Sequence, residues 1–526
     1  MSTSPNGRTY SRNVLPSLAD VVFLGVLFFL TVGDETLLGD ADTGYHVRAG
    51  EFIIDHWQIP HSDIFSFLTP ALPWTLHEWL SEIIMALVHR QAGLTGIGIL
   101  FSFMIALSAY LVFELLLKER GNILLAAAAA LLVVLSSASN WLARPHVFTF
   151  LFVIVFYHLL NLYQDRDRNY LFLLPPMTLV WVNLHGGFIV GILLLGVYLT
   201  GNLAGLVWES PSRRTVLREK SRWLAVTTVA CLCAAVLNPY GYKTLLFPFR
   251  VVQDRFLMDH IAEYLSPNFH FSSVVPFEIM LLGALAVFAV SGAKLNMIEL
   301  ALLILFAHMS LFSSRHIPLF AIVAGPIVLK QAQLLFDQPK GRVMAALRAR
   351  IDNLAAIDRS SVRWLWPAGG VLLVLLLAKA GLVNYAFNDR HVPVKAVEFL
   401  QREPIAGNMF NNDEFGDYVI YAAWPRYKVF IDGRTDMYGA NRVREYLKIS
   451  RAEAGWEELA ERYQLTWILH HADSTLSKVL RERSDWRLVY ADELAHIFVK
   501  ALPQYDPLIR RYAAPQPGAQ ENPYTN

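Results

Sequence analysis

The sequence predicts a polytopic α-helical membrane protein with about eleven transmembrane helices, followed by a C-terminal extracytoplasmic α/β domain. Apolar residues make up 55% of the 526 residues and charged residues only 17%, whereas a soluble domain carries about 25% charged residues. From Val14 to Tyr385 the apolar residues gather in runs long enough to cross a bilayer. Beyond Asn388 these runs shorten to strand length. A single soluble core is therefore excluded.

Each predicted span is a run of about 20 predominantly apolar residues, the length that crosses the hydrocarbon core. The first run has the length of a signal peptide but lacks a small-residue cleavage site, so we interpret it as an anchor. Together the spans define a membrane domain over residues 1–386. They lie near residues 14–32, 93–117, 123–139, 147–163, 171–183, 188–208, 223–237, 276–291, 297–312, 317–335 and 364–385.

Basic residues mark one face of the predicted membrane domain. They cluster before the first span and after the second, fourth, sixth and tenth spans, and short loops rich in Lys and Arg stay in the cytoplasm. We therefore expect a multi-pass protein of the cytoplasmic (inner) membrane, with a cytoplasmic N-terminus and a periplasmic C-terminal domain. The basic residues are Arg8, Arg12, Lys118, Arg120, Arg166, Arg168, Arg213, Arg214, Arg218, Lys220, Arg222, Lys340, Arg342, Arg348, Arg350 and Arg359.

The extracytoplasmic domain is predicted over residues 387–512, where short apolar runs alternate with amphipathic helical patterns. This alternation favours an α/β layer with a mainly parallel sheet. The proline-rich tail, residues 513–526, is predicted to be disordered. A formal net charge of +1 gives no indication of a nucleic-acid partner. Strands are expected near 408–411, 428–432, 466–470, 487–490 and 496–500, and helices near 394–401, 442–448, 456–463 and 475–481.

An acidic pair, Asp40 and Asp42, opens a helix in the first outer loop. One interpretation makes the two carboxylates a base or metal pair held at the membrane surface. The other makes Asp42 the N-cap of the helix and Asp40 a solvated loop charge. His46 and Arg48 on the same helix are candidate substrate contacts. Residues that share one face favour a helix lying in the membrane interface, namely Tyr45, Ala49, Phe52, Ile53 and His56.

Glu78 lies at the start of the next predicted helix. Together with Thr75, three residues earlier, it fits a capping box. Glu78 and Glu82 also lie one turn apart on the same helix face. A substrate or cation contact through Glu78 therefore stays open beside the structural role.

Two arginines on the predicted outer face run against the positive-inside rule. Arg144 and Arg315 each lie at a helix start and are followed by His146 and His316. A planar guanidinium near a helix N-terminus suits a phosphate or a carboxylate. The alternative is a snorkelling residue that anchors the helix end. For two such Arg-His sites on one side of the membrane we favour anion binding.

Two further outer segments contribute candidate substrate contacts. His185 lies in a tight turn between two spans, Asn183-Leu184-His185-Gly186-Gly187. It is interpreted either as a structural histidine or as a ligand. Lys243 belongs to a long aromatic loop, beginning at Asn238, that could cover a site at the membrane surface.

These outer segments resemble the membrane glycosyltransferases with a GT-C fold, most closely the branch that includes lipid A aminoarabinose transferase and the RgtA-like sugar transferases. The run Asp40-Ala41-Asp42-Thr43-Gly44-Tyr45 stands where that family often has Asp-Glu-x-x-Tyr. Trp74 to Leu80 stands where it has a proline-rich Tyr-Trp-Leu stretch.

A looser similarity concerns the extracytoplasmic domain. Residues 413–420 and 431–436 resemble part of the outer domain of oligosaccharyltransferase catalytic subunits, where Trp-Trp-Asp-Tyr-Gly reads the acceptor. The double tryptophan is absent here, so reading of a peptide sequon is not implied. A charged turn after a strand is the favoured interpretation of Asp432, Arg434 and Asp436.

The GT-C resemblance implies a hexosyl- or pentosyltransferase that uses a polyprenyl-phosphate-linked sugar donor and an envelope glycan, lipid or protein acceptor on the outer face. Asp42 is then the base or a metal ligand, with Asp40 as its partner, while Arg144 and Arg315 hold the leaving phosphate. An Asp-x-Asp pair suits Mg²⁺ or Mn²⁺, although the transfer does not require a metal. The donor's lipid would lie between spans among membrane lipids. A transporter or flippase of envelope glycans and a non-catalytic membrane scaffold are the alternative functions.

Overall fold

The computed structural model describes residues 2–3, 9–10, 13–33, 36–120, 122–292, 294–336 and 342–512. The tail predicted to be disordered, 513–526, lies outside the described residues, as do Arg8, Arg12 and Lys340 of the basic loops.

Helices account for most of the described chain. In chain order the first eleven are α1 Leu18–Phe28, α2 Asp42–His56, α3 Trp79–Arg120, α4 Ile123–Ser137, α5 His146–Arg166, α6 Leu174–Leu184, α7 Phe188–Trp208, α8 Pro211–Val236, α9 Tyr242–Gln253, α10 Arg255–His260 and α11 Val275–Ser291. The others are α12 Met297–Phe312, α13 Ile317–Phe336, α14 Arg342–Ser360, α15 Leu365–Lys379, α16 Val394–Arg402, α17 Asp413–Ala423, α18 Thr435–Ser450, α19 Trp456–Arg462, α20 Thr475–Glu482 and α21 Asp506–Tyr512. The strands are β1 Ser2–Thr3, β2 Thr9–Tyr10, β3 Asn408–Asn411, β4 Leu465–His471, β5 Trp486–Ala491 and β6 Ala495–Lys500.

The chain divides into two compact units that are not contiguous in sequence. Unit 1 comprises Met1–Leu37 and Gln91–Tyr385, and unit 2 comprises Leu38–Arg90 and Ala386–Asn526. The first outer loop, with its acidic pair, therefore belongs to the same unit as the C-terminal segment.

Unit 1 contains the apolar helices. Among the described residues, six segments are long and apolar enough to cross a membrane: Trp79–Lys118, Ile123–Asn140, His146–Arg166, Phe188–Trp208, Ser272–Ser291 and Ser314–Phe336. Four shorter apolar helices lie at Leu18–Val32, Leu171–Leu184, Met297–Phe312 and Leu365–Lys379. The remaining predicted span, 223–237, coincides with the second half of α8. The multi-pass membrane class is confirmed, whereas a count of about eleven spans stays a prediction.

The first of these segments is broken at Gly93, where the predicted span 93–117 begins. The backbone of Gly93 adopts φ 59 and ψ −154, a conformation that glycine reaches without a Cβ penalty. The break separates the part of α3 that belongs to unit 2 from the apolar part in unit 1.

The core of unit 1 surrounds α13, which packs on α4, α5, α11 and α12. Every residue of α13 from Ile317 to Ile327 is buried. Large apolar side chains on the outer helices are exposed instead, with Leu131 59%, Val229 60% and Leu285 62% accessible. An apolar surface of this kind suits lipid rather than water.

Unit 2 is built around a four-stranded sheet in the order β3-β4-β6-β5. β3 and β4 pair in parallel, but β4 with β6 and β5 with β6 pair antiparallel. The prediction of a mainly parallel sheet was therefore wrong. Its cause is the short turn between β5 and β6, where Asp492 Oδ1 accepts hydrogen bonds from the backbone of Leu494 at 2.8 Å and Ala495 at 2.7 Å. A turn this short can join only antiparallel strands.

The strand predicted over 428–432 does not join this sheet. The backbone groups of Phe430 and Ile431 bind the side chain of Asn411 instead of a neighbouring strand. Asn411 Oδ1 accepts from Phe430 N–H at 2.8 Å, and Asn411 Nδ2 donates to Ile431 O at 2.7 Å. Val429 pairs instead with the first outer loop, through Phe65 O at 3.1 Å and Phe67 N at 3.2 Å. This segment thus connects the loop to the C-terminal part of unit 2.

Two glycines allow α2 to pack closely against α17 and α3 within unit 2. A Cβ on Gly44 would lie 2.6 Å from the Cβ of Tyr421 on α17, and a Cβ on Gly50 would lie 1.9 Å from the carbonyl oxygen of Glu82 on α3. The buried residues of α2 include Gly44 and Gly50, and also Ala49 and Ile53 of the face predicted to lie in the membrane interface. Of the other residues of that face, Tyr45 and Phe52 are half-buried and His56 is exposed.

We expect Gly50→Ala to destabilise the full-length protein by about 1–3 kcal/mol, the usual cost of overpacking. The fall in Tm would be measured by thermal unfolding in detergent. Gly196→Ala is the matched control, because a Cβ on Gly196 meets no atom within 4 Å, and its Tm should not fall. Equal Tm values for Gly50→Ala and the wild type would contradict the close approach of α2 and α3.

Candidate functional site: a carboxyl pair beside a buried arginine

Two carboxyl groups from distant parts of the sequence meet at Gly433 in unit 2. Asp42 is the first residue of α2 and Asp417 lies on α17. The backbone N–H of Gly433 donates to both carboxyl oxygens of Asp417, at 3.1 and 3.0 Å. A Cβ on Gly433 would lie 2.5 Å from Asp42 Oδ1 and 3.0 Å from Asp417 Oδ2. Only glycine at this position leaves room for both side chains.

The two carboxyl groups differ in environment. Burial raises the pKa of Asp417 well above its usual range, and the charges of Asp42 and Asp432 raise it further. Asp417 is 1% exposed, whereas Asp42 is half-buried. The two side chains are hydrogen-bonded to each other. The raised pKa favours the protonated form of Asp417, which can donate this hydrogen bond to Asp42.

Asp40 supports the start of α2. Its Oδ1 accepts a hydrogen bond from the backbone N–H of Asp42 at 3.2 Å, while Ala41 stands at the N-cap position. Asp42 is thus the first helical residue and not the N-cap, which corrects the structural interpretation of this pair. Within the described part of the chain, no three His, Cys, Asp or Glu side chains converge as a metal-ligand set. One or two carboxylates fit Mg²⁺, which keeps several of its waters.

A buried arginine, Arg434, follows Gly433 directly in sequence. Arg434 is 3% exposed and binds Asp432 through Nε at 2.7 Å and Nη2 at 2.6 Å. The same Nη2 donates to Asp63 of the first outer loop at 2.9 Å. The guanidinium also lies 4.4 Å from the ring centre of Trp74. Although burial alone would raise the pKa of Asp63, the charge of Arg434 holds it below its usual range.

His46, one helical turn after Asp42 on α2, lies beside two glutamates. His46 Nδ1 is 3.1 Å from Glu82 Oε1 and 3.8 Å from Glu78 Oε2. α3 begins at Trp79, four residues after Thr75, so the predicted capping box of Thr75 and Glu78 is not formed. Burial raises the pKa of the neighbouring Tyr45, and Asp42, Glu78 and Glu82 add to that effect. The structure therefore brings Asp42, His46 and Glu78 into one acidic region of unit 2.

Arg48 connects α2 to α17. It binds Glu51 at 2.6 Å and donates to the carbonyl of Tyr421 at 2.7 Å. Its charge is thus already matched inside unit 2, and its role as a substrate contact stays a prediction.

In unit 1, the two outer arginines meet at Glu263 and Tyr264. Arg144 Nη1 lies 2.5 Å from Glu263 Oε1 and lowers the pKa of Glu263 to about 2. Arg315 lies over the ring of Tyr264, 5.1 Å from its centre. His146 lies close enough to Arg144 and Arg315 to interact with both charges. The predicted Arg-His sites are thus neighbours, and an acidic residue stands between their charges.

The remaining predicted contacts of unit 1 are less closely grouped. The backbone N–H of Gly187 donates to His185 Nδ1 at 2.9 Å, and the His185 ring centre lies 6.4 Å from that of His146. His316 Nδ1 lies 3.3 Å from the carbonyl of Met309, and Lys243 is exposed. The hydrogen bond from Gly187 fixes the orientation of the His185 ring. Substrate binding by His185, His316 and Lys243 stays a prediction.

Comparison with solved structures identifies the fold. The crystal structure of the Archaeoglobus fulgidus oligosaccharyltransferase in the apo form matches with a TM-score of 0.57 at 11% identity, covering 87% of this chain and 69% of that one. The archaeal oligosaccharyltransferase AglB from Archaeoglobus fulgidus, in complex with an inhibitory peptide and a dolichol-phosphate, matches with a TM-score of 0.58 at 11% identity, covering 93% and 74%. The chain has a GT-C fold. No family model and no curated protein sequence matches it.

The GT-C likeness confirms the predicted fold but not the lipid A and RgtA-like branch. The sequence predicts Asp42 as a site residue but gives Asp417, within the segment 413–420, no role of its own, because the partner of Asp417 lies far away in the chain. For Asp432 and Arg434 a charged turn is the favoured prediction. Their burial, with Arg434 matched to two carboxylates, is the signal that the sequence alone did not contain.

We expect Asp417→Asn to flatten the pH dependence of stability. A raised pKa in the folded state favours folding at low pH, and that contribution is lost as the pH rises through the raised value. The Tm of the wild type should therefore fall more steeply than that of the variant as the pH rises above the usual pKa range of an aspartic acid. Asp55→Asn, an exposed carboxylate on α2, is the control and should follow the wild type. Parallel curves for the wild type and Asp417→Asn would contradict the raised pKa.

Proposed function

We propose that this protein is a glycosyltransferase that moves a sugar from a polyprenyl-phosphate donor to an acceptor at the extracytoplasmic face of the membrane. The carboxyl pair of Asp42 and Asp417 carries the proposal, because it places a half-buried carboxylate beside a buried proton carrier. The GT-C fold supports it. One solved structure with that fold is an oligosaccharyltransferase in complex with a dolichol-phosphate and an inhibitory peptide.

The reaction asks for little covalent chemistry from the protein, since a lipid phosphate is a good leaving group. The acceptor oxygen forms a bond to the anomeric carbon, and the bond between that carbon and the phosphate oxygen breaks. Asp42 takes the acceptor's proton, and the lipid phosphate leaves with the electron pair of the broken bond. Asp417 keeps Asp42 oriented and shares its own proton with it. The hydrogen bond to Gly433 fixes Asp417 in turn.

Cations are needed where negative charge develops on the leaving phosphate. Arg144 and Arg315 keep this proposed role, supported by their common position at Glu263 and Tyr264 in unit 1. A Mg²⁺ ion held by Asp40 and Asp42 would supply further positive charge to a phosphate. His46 and Glu78 would contact the substrate through the acidic region that they share with Asp42.

The finer parts of the proposal follow from the sequence. We place the enzyme in the cytoplasmic membrane with a cytoplasmic N-terminus, and we propose residues 387–512 as its periplasmic domain. The acceptor would be an envelope glycan, lipid or protein, and the transferred group a hexose or pentose. A flippase or a scaffold would leave lipid-linked sugar chemically unchanged, which separates these alternatives from the transferase.

We expect Asp42→Asn to lower the rate of glycosyl transfer on the order of a hundredfold or more, the usual effect of removing a general base. The assay would follow transfer from a polyprenyl-phosphate sugar by the full-length protein. Asp55→Asn, on the same helix but 56% exposed at its side chain, is the matched control and should retain activity.

Comparing Asp40→Asn with Asp42→Asn in the same assay shows which of the two aspartates contributes more to the rate of transfer. The amide oxygen of the Asp40→Asn variant can still accept the hydrogen bond from Asp42 N–H, so a loss would report the missing charge. Near-normal transfer by Asp42→Asn, with the wild type active, would remove Asp42 from the mechanism even though the fold assignment stands.

Topology provides an independent test. A reporter that is active only outside the cytoplasm should work when fused after Lys500 and fail when fused after Arg222, because the basic loops favour the cytoplasm. Both fusions would be compared at equal expression. The reverse pattern would contradict the orientation and, with it, the face proposed for the reaction.

A further inference from the structure

The loop between α8 and α11 contains an amphipathic helix, α9, with apolar side chains exposed along one side. Tyr242 is 62% exposed, Leu246 43%, Phe249 54% and Val252 58%. Spacings of three and four residues place these four side chains on one side of the helix. We call them the apolar face of α9. Thr244, on the opposite side, is only 1% exposed.

The direction of α9 relative to α8 is fixed by Asn238. Asn238 Nδ2 donates to the carbonyl of Ala235 on α8 at 2.8 Å, and Asn238 Oδ1 accepts from the hydroxyl of Thr244 on α9 at 2.7 Å. Gly241, between the two helices, adopts φ 59 and ψ −135, a conformation that glycine reaches without a Cβ penalty. Exposure of the apolar face is therefore a built feature of this corner of the fold.

Basic residues border the apolar face. Lys243 and Arg250 are exposed and lie seven residues apart, about two helical turns, so they share one side of α9. Arg255 adds an exposed cation at the start of α10, whereas α9 itself contains no acidic residue. Of the carboxylates that follow, Asp254 caps α10 by accepting from a backbone N–H at 3.2 Å, and Asp259 is exposed. The surface of α9 is therefore apolar with a cationic border.

Such a surface suits the boundary of a membrane better than water. Large apolar side chains left in water are unfavourable. Only residues 237–241 separate α9 from α8, whose second half is a predicted span, and the loop leads into Ser272–Ser291, which is long and apolar enough to cross a membrane. α9 therefore lies near the level at which the chain leaves the bilayer. Lys and Arg beside an apolar face are typical of helices that lie in the headgroup region.

We infer that α9 is an interfacial anchor that binds anionic phospholipids of the surrounding membrane. The apolar face enters the boundary between headgroups and acyl chains, while Lys243 and Arg250 bind lipid phosphates. A basic residue near an anionic membrane surface strengthens binding about fivefold. The anchor lies wholly in unit 1 and involves neither Asp42 nor Asp417, so the inference does not rest on the proposed function.

The first test measures the depth of α9 in the membrane. Single nitroxide labels are attached to Leu246→Cys and Phe249→Cys in the full-length protein carrying Cys231→Ala and Cys233→Ala, in nanodiscs of phosphatidylcholine and phosphatidylglycerol. Electron paramagnetic resonance compares collisions with O₂, which concentrates in lipid, and with a neutral, water-soluble nickel complex. Both labels should favour O₂ several-fold more than a control label at Lys478→Cys, an exposed position on α20.

Two results of this test would overturn the inference. Labels on α9 that match the Lys478→Cys control would place the apolar face in water. Labels that collide with neither reagent would show that protein covers the face. Val252→Cys, at another position of the apolar face, replaces either variant that does not fold.

The second test concerns headgroup charge. The label at Leu246→Cys is compared in nanodiscs of phosphatidylcholine alone and of phosphatidylcholine with phosphatidylglycerol. The anionic lipid should raise the ratio of O₂ to nickel collisions, and combining Lys243→Gln with Arg250→Gln should abolish that rise. Lys478→Gln is the matched control and should retain it. An equal rise in the double variant, or no rise with both cations present, would contradict binding of anionic lipid by Lys243 and Arg250.

Discussion

The ion pairs of Arg434 are the interaction on which unit 2 depends. A buried guanidinium must keep its carboxylate partners, since removing one leaves an uncompensated charge in a low-dielectric interior. Here one partner, Asp432, is two residues away, and the other, Asp63, comes from the first outer loop. The pairing therefore fixes that loop to the C-terminal segment. It also fixes Gly433 between Asp432 and Arg434, and Gly433 is where Asp42 and Asp417 meet.

Asp42 and Asp417 differ in the protonation state that their surroundings favour. Asp42 lies at the N-terminus of α2, where the helix dipole stabilises negative charge, and it is only half-buried. Asp417 lies inside α17 and is fully enclosed, so its neutral form is favoured. Two neighbouring carboxyl groups whose environments favour opposite protonation states can act as an ionised base and a proton-bearing partner. The charge of Asp432 adds to this difference, because it raises the pKa of Asp417 further.

The sequence predicted the features that depend on local pattern. The apolar runs became helices, and strands β3 to β6 appeared close to their expected positions. The strand at 428–432 failed because the side chain of Asn411, remote in sequence, took its hydrogen bonds. α17 was missed although Asn412 caps it by accepting from Phe415 N–H, since a short helix leaves a weak periodic signal. Long-range pairings such as that of Asp42 with Asp417 leave no trace in a single sequence.

The non-contiguous composition of unit 2 bears on how the proposed site could form. Neither the first outer loop nor the C-terminal segment alone contains both carboxyl groups, so the site exists only after the chain on both sides of the membrane helices has been made. The loop's Asp63 is buried at 7% exposure, and the charge of Arg434, together with hydrogen bonds from Ser66 and Phe65, lowers its pKa against the effect of burial. Until the C-terminal segment folds, Asp63 and Asp42 are free to remain in water. Formation of the ion pairs and of the carboxyl pair therefore both require the last part of the chain to fold.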